Sequence, residues 1–382
     1  MAGGLILVVN AGSSSIKAAL FGGAEAAVAT GAVTEIGGSA RIRVGAGEQG
    51  CAAPDHDTAL ALLVEGFGAA GFALSRVRAA GHRIVHGGRD LTASTRVSDA
   101  VEAAIAACIP LAPLHNPHNL SGIRAVSRLA PGLPQVACFD TAFHATNPEV
   151  ALRYALPAAE EAKGIRRYGF HGISYASLAA RLPALLGALP ERVLALHLGN
   201  GASLCAIRGG RSVATTMGYS PLDGLTMGTR TGAIDGNAVL RLAGDHGIDG
   251  AARILNRESG LLALGGASDM RALHAAGTEA ARFAVEHFCY WATRHAGSMI
   301  AAMGGLDCVA FTGGIGENDA GVREAISAGL GFLGVSLDPA ANAANAARID
   351  AGGPVATVIV PAAEEAFIAA EVRACLRGPH GT

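Results

Sequence analysis

Apolar residues along the chain fall into two recurring patterns. Short strand-like runs end in glycine turns: LILVVNAGSSS from Leu5, VLALHLGNGAS from Val193 and CVAFTGGIGEN from Cys308. Between them lie alanine-rich stretches with helical spacing, such as DTALALLVEGFGAAGF from Asp57 and AARFAVEHFCYWATRHAGSMIAAM from Ala280. Strands that alternate with helices predict an α/β architecture.

The first two runs resemble one another. Asn10-Ala11-Gly12-Ser13 and Asn200-Gly201-Ala202-Ser203 each follow a strand-like run and precede an apolar segment, at an offset of 200 − 10 = 190 residues, about half the chain. The repeat predicts two related halves facing one another. The loop HATNPEV, from His144, is the expected boundary, giving domains 1–147 and 148–365, with a final helical stretch, 366–382, packing back on the first half. A chain of 382 residues suits two domains of ordinary size.

Composition narrows the functional classes. Hydrophobic residues make up 51% and charged residues 16%, too apolar for a disordered chain. A net charge of −2 implies no polybasic surface for nucleic acid. Only Lys17 and Lys163 are lysines, so 29 − 2 = 27 basic residues are arginine, and Lys17 stands out. The seven cysteines are scattered without a CxxC pair, which fits reduced thiols better than a disulfide framework or zinc site. The start, MAGGLILVVNAGSS, lacks the basic region of a signal peptide, and no stretch of about 18 apolar residues runs unbroken. A cytoplasmic location away from membranes is expected.

Several segments carry candidate chemistry. The turn Asn10–Lys17 offers free backbone N–H groups, hydroxyls and a lysine, which can hold phosphate oxygens or form an ordinary hairpin. It is not a Walker A loop, for no GxxxxGK[ST] occurs in the chain. Two further turns, Leu198–Ser203 and Gly313–Asn318, strengthen the phosphate reading. Leu204 and Asp319 stand where GxGxxG would need its last glycine, which disfavours a dinucleotide site. GHRIVHGG, from Gly81, reads as a strand entering a turn, with Arg83 and Val85 on one face and His82, Ile84 and His86 on the other. An inward arginine needs an anionic partner, either a structural carboxylate or a bound anion. Arg230 lies in a second such setting, MGTRTG from Met227. Phosphoryl transfer calls for such cations, because its transition state spreads negative charge over the equatorial oxygens. Asp140, closing QVACFD, and Glu364, opening a helix, are candidate magnesium ligands, or a turn cap and a helix N-terminal charge. His171 sits between Gly169 and Gly172, one of thirteen histidines of which most must be structural.

Taken together these segments resemble the acetate kinase family, a branch of the acetate-and-sugar-kinase, actin and heat-shock ATPase fold. The likeness runs in order through NAGSSSIK (10–17), GHRIVHGG (81–88), PLAPLHNP (110–117), FDTAFH (139–144), RRYGFHG (166–172), HLGNGAS (197–203), SPLDGLTMGTRTG (220–232), SDMR (268–271), FTGGIGEN (311–318) and PAAEEAFIA (361–369). It implies two ribonuclease-H-like domains that close over the substrates, a homodimer, and magnesium-dependent, reversible phosphoryl transfer from ATP to acetate, with manganese as a substitute metal. Arg83, Asp140, His171, Arg230 and Asn10 would be catalytic. Asn10, Asp140 and Glu364 would organise the metal. Ser13, Ser15, Lys17, His197, Leu198, Gly199, Asn200 and Gly201 would line the phosphate path. Asp269, Met270, Arg271, Gly314, Ile315, Gly316 and Asn318 would hold the nucleotide. Arg83 would bind the acid's carboxylate, while Val85, Leu114, Phe170 and Pro221 would enclose its alkyl end.

Four positions depart from the pattern. Ala233 replaces an acidic residue, Gly236 a proline, Ala363 an asparagine and Gly313 an alanine. Rival readings are the same chemistry on propionate or a longer acid, and a catalytically silent nucleotide-binding protein of the same fold. A sugar kinase would leave the pair of arginines without a purpose.

Overall fold

The computed structural model describes residues 4–23 and 25–377. The chain divides into two compact units, one made of residues 1–143 and 363–382, the other of 144–362. The expected boundaries at 147 and 365 lie a few residues away, and of the expected closing helix, residues 378–382 fall outside the described part.

Among the described residues, thirteen strands form two sheets. In the first unit β1 (Leu5–Ala11), β2 (Ser15–Phe21), β3 (Ala27–Thr34), β4 (Arg41–Val44), β5 (Gly47–Gly50), β6 (Val77–Ile84), β7 (Thr95–Arg96) and β8 (Gln135–Phe139) lie in the order 5-4-3-2-1-6-8-7. In the second, β9 (Arg192–Leu198), β10 (Ala202–Arg208), β11 (Arg211–Thr215), β12 (Cys308–Thr312) and β13 (Ala356–Ile359) lie in the order 11-10-9-12-13. Six helices carry or support the site: α1 (His56–Ala69), α2 (Asn116–Leu129), α3 (Gly172–Leu186), α4 (Glu279–Met303), α5 (Gly313–Asn318) and α6 (Glu364–Arg377).

The internal repeat is real at the level of topology. Each unit opens with an antiparallel meander, β1-β2-β3 or β9-β10-β11. Two later strands then join the far side of the first strand in parallel, β6 and β8 or β12 and β13. The four-residue similarity is nonetheless out of step with it. Asn10 still lies within β1, opposite Lys17, whereas Asn200 is at the tip of the β9–β10 turn, whose innermost pair is Leu198 and Ala202.

Parallel central strands are covered on both faces, so they read as continuous apolar runs. Five residues at the start of β1 are all buried. One face of the first sheet packs Leu5, Leu7, Val9, Ile16 and Leu20 against Leu60, Leu63 and Phe67 of α1 and Val126 of α2. The other face receives α6, and Gly81 permits its close approach. A Cβ there would stand 2.6 Å from Ile368 Cγ2 and 2.7 Å from Val372 Cγ2. In the second unit β9, β10 and β12 are buried, and α4 contributes Phe288, Ala292 and Ala296 to the core.

One expected turn is a helix. Gly313–Asn318 forms the single-turn helix α5 directly after β12. Gly313 has φ +79°, and a Cβ on it would sit 2.7 Å from the Leu198 carbonyl oxygen, so glycine makes this strand-to-helix bend without strain, where the family's alanine would force its surroundings to shift. Gly236, another of the four departures, opens the helix Gly236–Arg257 behind its N-cap Asp235. That first helical position is one proline favours, and glycine also serves.

Candidate active site

The first unit assembles its charged groups around Arg83. Strand β6 lies between β1 and β8, with His82 opposite Val9 and Arg83 opposite Cys138, which places Arg83 near the ends of both neighbours. Asp140 follows β8 directly and is 1% exposed. The Arg83 Nη2 and Nε groups donate to Asp140 Oδ2 at 2.6 Å and Oδ1 at 3.3 Å. Its Nη1 reaches Asn10 Oδ1 at 3.5 Å, and its Nε lies 3.8 Å from Glu364 Oε2. The sequence left open whether Arg83 meets a structural carboxylate or a bound anion; here it meets carboxylates. Burial pulls its pKa down, but Asp140 and Glu364 outweigh that and hold it above the ordinary value. Burial raises the Glu364 carboxyl above its ordinary range, against the pull of Arg83 and Lys17.

Asn10, Asp140 and Glu364 supply one amide and two carboxylate oxygens. Among the described residues no group of three or more His, Cys, Asp or Glu could hold a metal by itself. Magnesium does not require one, since it binds through one or two carboxylates and completes its shell with water and substrate phosphates. The donors are hard oxygens, with Glu364 half-buried beside Arg83, so the set fits magnesium, and manganese by the same chemistry.

The other first-unit candidates surround this group. Ser13 is an exposed residue in the β1–β2 turn, Ser15 opens β2, and Lys17 is exposed on β2. Val85 lies just beyond the end of β6 rather than on the strand, buried, with its N–H donated to Asn119 Oδ1 at 3.0 Å. Leu114 is 55% exposed.

The second unit brings a histidine and an arginine to one glycine. A Cβ on Gly201 would lie 3.5 Å from His171 Nε2 and 3.6 Å from Arg230 Nη1. His171 has φ +58°, unusual for a non-glycine residue, and serves as the N-cap of α3. Its Nδ1 pairs with Ser203 Oγ at 2.9 Å, and its ring stacks on His197 with centroids 4.1 Å apart. His197 is held in turn by Ser174 Oγ at 2.9 Å. Arg230 donates from Nη1 to the Pro221 carbonyl at 3.0 Å and has a longer contact, 3.6 Å, with Met227 Sδ. It meets no carboxylate among the described residues, and burial lowers its pKa. Phe170 is buried, and its carbonyl accepts from His144 Nε2 at 2.9 Å. Pro221 contributes its carbonyl to Arg230.

Beside this group a cavity of about 670 Å³ gathers most of the nucleotide candidates. Gly199, Asn200, Asp269, Met270, Arg271, Gly314, Ile315 and Asn318 line it. Leu198, at the end of β9, is buried behind the cavity, and Gly316 is also not on its wall. Arg323, fully buried, donates to the Gly316 carbonyl at 3.0 Å and thereby anchors α5 from behind. Asp269 caps the short helix Met270–Ala276 and pairs with Arg271 at 3.1 Å, on a side chain 91% exposed and free to reach a ligand. Sequence reasoning missed Ser268, His274, Asp319 and Ala320. His274 pairs with Asp319 at 2.8 Å, and its position three residues after Arg271 on the same helix was the available signal.

Residues 5–370 match the acetokinase family. The acetate kinase of Leifsonia xyli subsp. xyli is 45% identical over 384 residues, covering 95% of this chain and 97% of its own. The crystal structure of Porphyromonas gingivalis acetate kinase superposes with a TM-score of 0.92 at 35% identity, covering 98% of this chain and 100% of its own. A propionate kinase from Francisella tularensis subsp. tularensis gives 0.91, also at 35%, covering 96% and 98%. An unbroken match from the first strand to the last helix, in sequence and in fold, places this chain in the acetokinase family.

Proposed function

We propose that this protein transfers the γ-phosphoryl group of ATP directly to the carboxylate of acetate, forming acetyl phosphate and ADP in a reversible reaction. The observation that carries this reading is the convergence of Arg230 and His171 on Gly201, where a half-buried guanidinium meets no carboxylate among the described residues. Such a cation is placed for an anion that arrives with substrate, and for the charge that spreads over the phosphoryl oxygens in transfer.

The acid's oxygen is already anionic at neutral pH, so attack on the γ-phosphorus needs no general base. One P–O bond forms to the carboxylate while the bond to the β-phosphate breaks, and ADP leaves with the electron pair. Arg83 and Arg230 orient the carboxylate and phosphoryl oxygens, and His171, fixed by Ser203, donates to the transferring group. Asn10, Asp140 and Glu364 would hold magnesium, which when bound neutralises charge on the phosphate oxygens. The cavity walled by Asp269, Arg271 and Gly314 takes the adenosine end.

Acetate is favoured over propionate by the 45%-identical curated relative, named acetate kinase, against a propionate kinase at 35%. No helix among the described residues is long and apolar enough to cross a membrane, and a cytoplasmic setting is part of this reading. So is a homodimer, which the family resemblance implies. The test is a hydroxylamine trap for acyl phosphate with purified protein, Mg-ATP and acids of two to four carbons. Product with acetate is expected. Folded, ATP-binding protein that makes none would overturn the proposal.

A further inference from the structure

The β1–β2 turn is gripped by side chains from outside the sheet, and one of them sets the direction of a single amide. Asn119, 3% exposed on α2, donates from Nδ2 to the Ala11 carbonyl at 2.8 Å. The Gly12 N–H closes the turn onto the Ser15 carbonyl at 2.8 Å, and the Ile36 N–H holds the Ser14 carbonyl at 3.0 Å. The remaining grip is His56, whose Nε2 lies 2.7 Å from the Gly12 carbonyl oxygen. That oxygen can only accept, so Nε2 carries the proton and donates.

The Gly12 carbonyl belongs to the same peptide plane as the Ser13 N–H. Among the described residues no peptide bond is cis, and in a trans peptide the C=O and N–H point in opposite directions. Drawing the carbonyl toward His56 therefore turns the Ser13 N–H away from it. That amide donates to no group among the described residues, and Ser13 is exposed. His56 is itself well fixed. It is the first residue of α1, whose N-cap Asp55 accepts from the Thr58 N–H at 2.8 Å, and its ring stacks on His118 at 5.6 Å and 18°. His118 is on α2, the helix that supplies Asn119. Glycine at 12 lowers the barrier to rotating this peptide plane, so without the histidine the plane has little else to hold it.

We infer that His56 is a positioning residue for phosphoryl transfer, acting through the Gly12 carbonyl to hold the Ser13 N–H toward the transferring phosphate. The inference rests on the kinase reading above and assigns a role to a side chain outside the catalytic group. Backbone donors preset in this way stabilise a transition state at no cost in reorganisation during the reaction.

The test compares wild type, His56→Ala and His56→Gln by hydroxylamine trapping, with melting temperature measured alongside. Glutamine carries an N–H donor to nearly the position of imidazole Nε2, whereas alanine carries none. Losing one preset donor costs on the order of a hundredfold in kcat, and a donor that still samples its correct direction costs less, so about tenfold is expected for His56→Ala. The KM for ATP should move by less than about threefold. His56→Gln should recover most of the rate. A His56→Ala enzyme with wild-type kcat overturns the inference, as does a loss of rate that glutamine does not restore although the variant melts like wild type. If His56→Ala fails to fold, the Gln variant decides alone: a kcat near wild type supports the inference, and one as low as expected for alanine overturns it. Wild-type protein that makes no acyl phosphate would instead refute the kinase reading, so the two failures are separable.

Discussion

Arg83 and Asp140 face each other edge to edge, joined by hydrogen bonds of 2.6 and 3.3 Å, and the aspartate is almost wholly out of solvent. A guanidinium in this setting has two duties. On the proposed reading it presents its remaining N–H groups to substrate, and within the fold it neutralises a buried carboxylate.

Arg83→Ala should therefore lose stability as well as activity. Removing the guanidinium takes away the cation that neutralises a buried carboxylate, a loss that typically costs about 3–5 kcal/mol. The double variant Arg83→Ala/Asp140→Ala should regain part of that loss while remaining inactive. Denaturant unfolding and acyl phosphate trapping on both proteins check this. A single variant as stable as wild type would show that the guanidinium is not what keeps the Asp140 carboxylate stable.

Arg230 should behave differently. Its contacts are a carbonyl and a thioether, so Arg230→Ala frees no buried carboxylate and should change stability little. Rate should fall by on the order of a hundredfold or more, because the lost charge acts on the transferring group. Lysine at this position should restore charge without the planar fork and recover only part of the rate. Normal activity in Arg230→Ala would remove it from the site.

Magnesium dependence separates Glu364 from Asp140. Glu364 is only 3.8 Å from Arg83 and shares no close hydrogen bond with it, so Glu364→Gln should fold normally and need more magnesium for half-maximal rate. Asp140→Asn should show the same metal requirement together with lower stability. An unchanged magnesium titration in both variants counts against the metal assignment.

How far the sequence reached is visible in particular residues. Periodicity carried the strands and the long helices, because buried strands and amphipathic helices leave strong apolar patterns. The doubled topology was also legible, although the matching tetrapeptides that suggested it are shifted relative to the hairpins they sit in. Gly313–Asn318 looked like a turn because three glycines in six residues conceal a helix that tertiary packing imposes. The role of Asp140 as the neutraliser of Arg83 was hidden, since an ion pair across 57 residues leaves no local trace. His274 and Asp319 escaped for the same reason, being 45 residues apart yet paired.

Buried histidines should make the fold acid-sensitive. Burial pushes His82 and His144 down to about 4 from an ordinary 6.5. Between those values the unfolded chain binds protons that the folded state refuses, so stability rises with pH across the window and is lost as pH falls from 6.5 toward 4. Each histidine accounts for up to about 3 kcal/mol. Unfolding free energies at pH 7, 5.5 and 4.5 should show the slope. In His82→Gln, where an amide can still reach Gln135, the slope should be shallower. Equal slopes in the two proteins would mean that His82 protonates without cost.

Acid selectivity is proposed to rest on a small apolar pocket, and Val85 is its most testable wall. The residue is 7% exposed, two positions after Arg83, and Asn119 fixes its backbone N–H at 3.0 Å. A substitution there should leave the main chain in place and change only the room beside the arginine. One methylene in an apolar pocket is worth about 1–3 kcal/mol, so propionate should be a measurable substrate of the wild-type protein. Val85→Ala removes two methyl groups and should move the ratio of kcat/KM toward propionate by roughly tenfold if the space does not collapse. Should Val85 serve only as packing, the variant would melt at lower temperature with the ratio unchanged. Measuring kcat/KM for acetate and propionate on both proteins, beside their melting temperatures, distinguishes a pocket wall from a core residue.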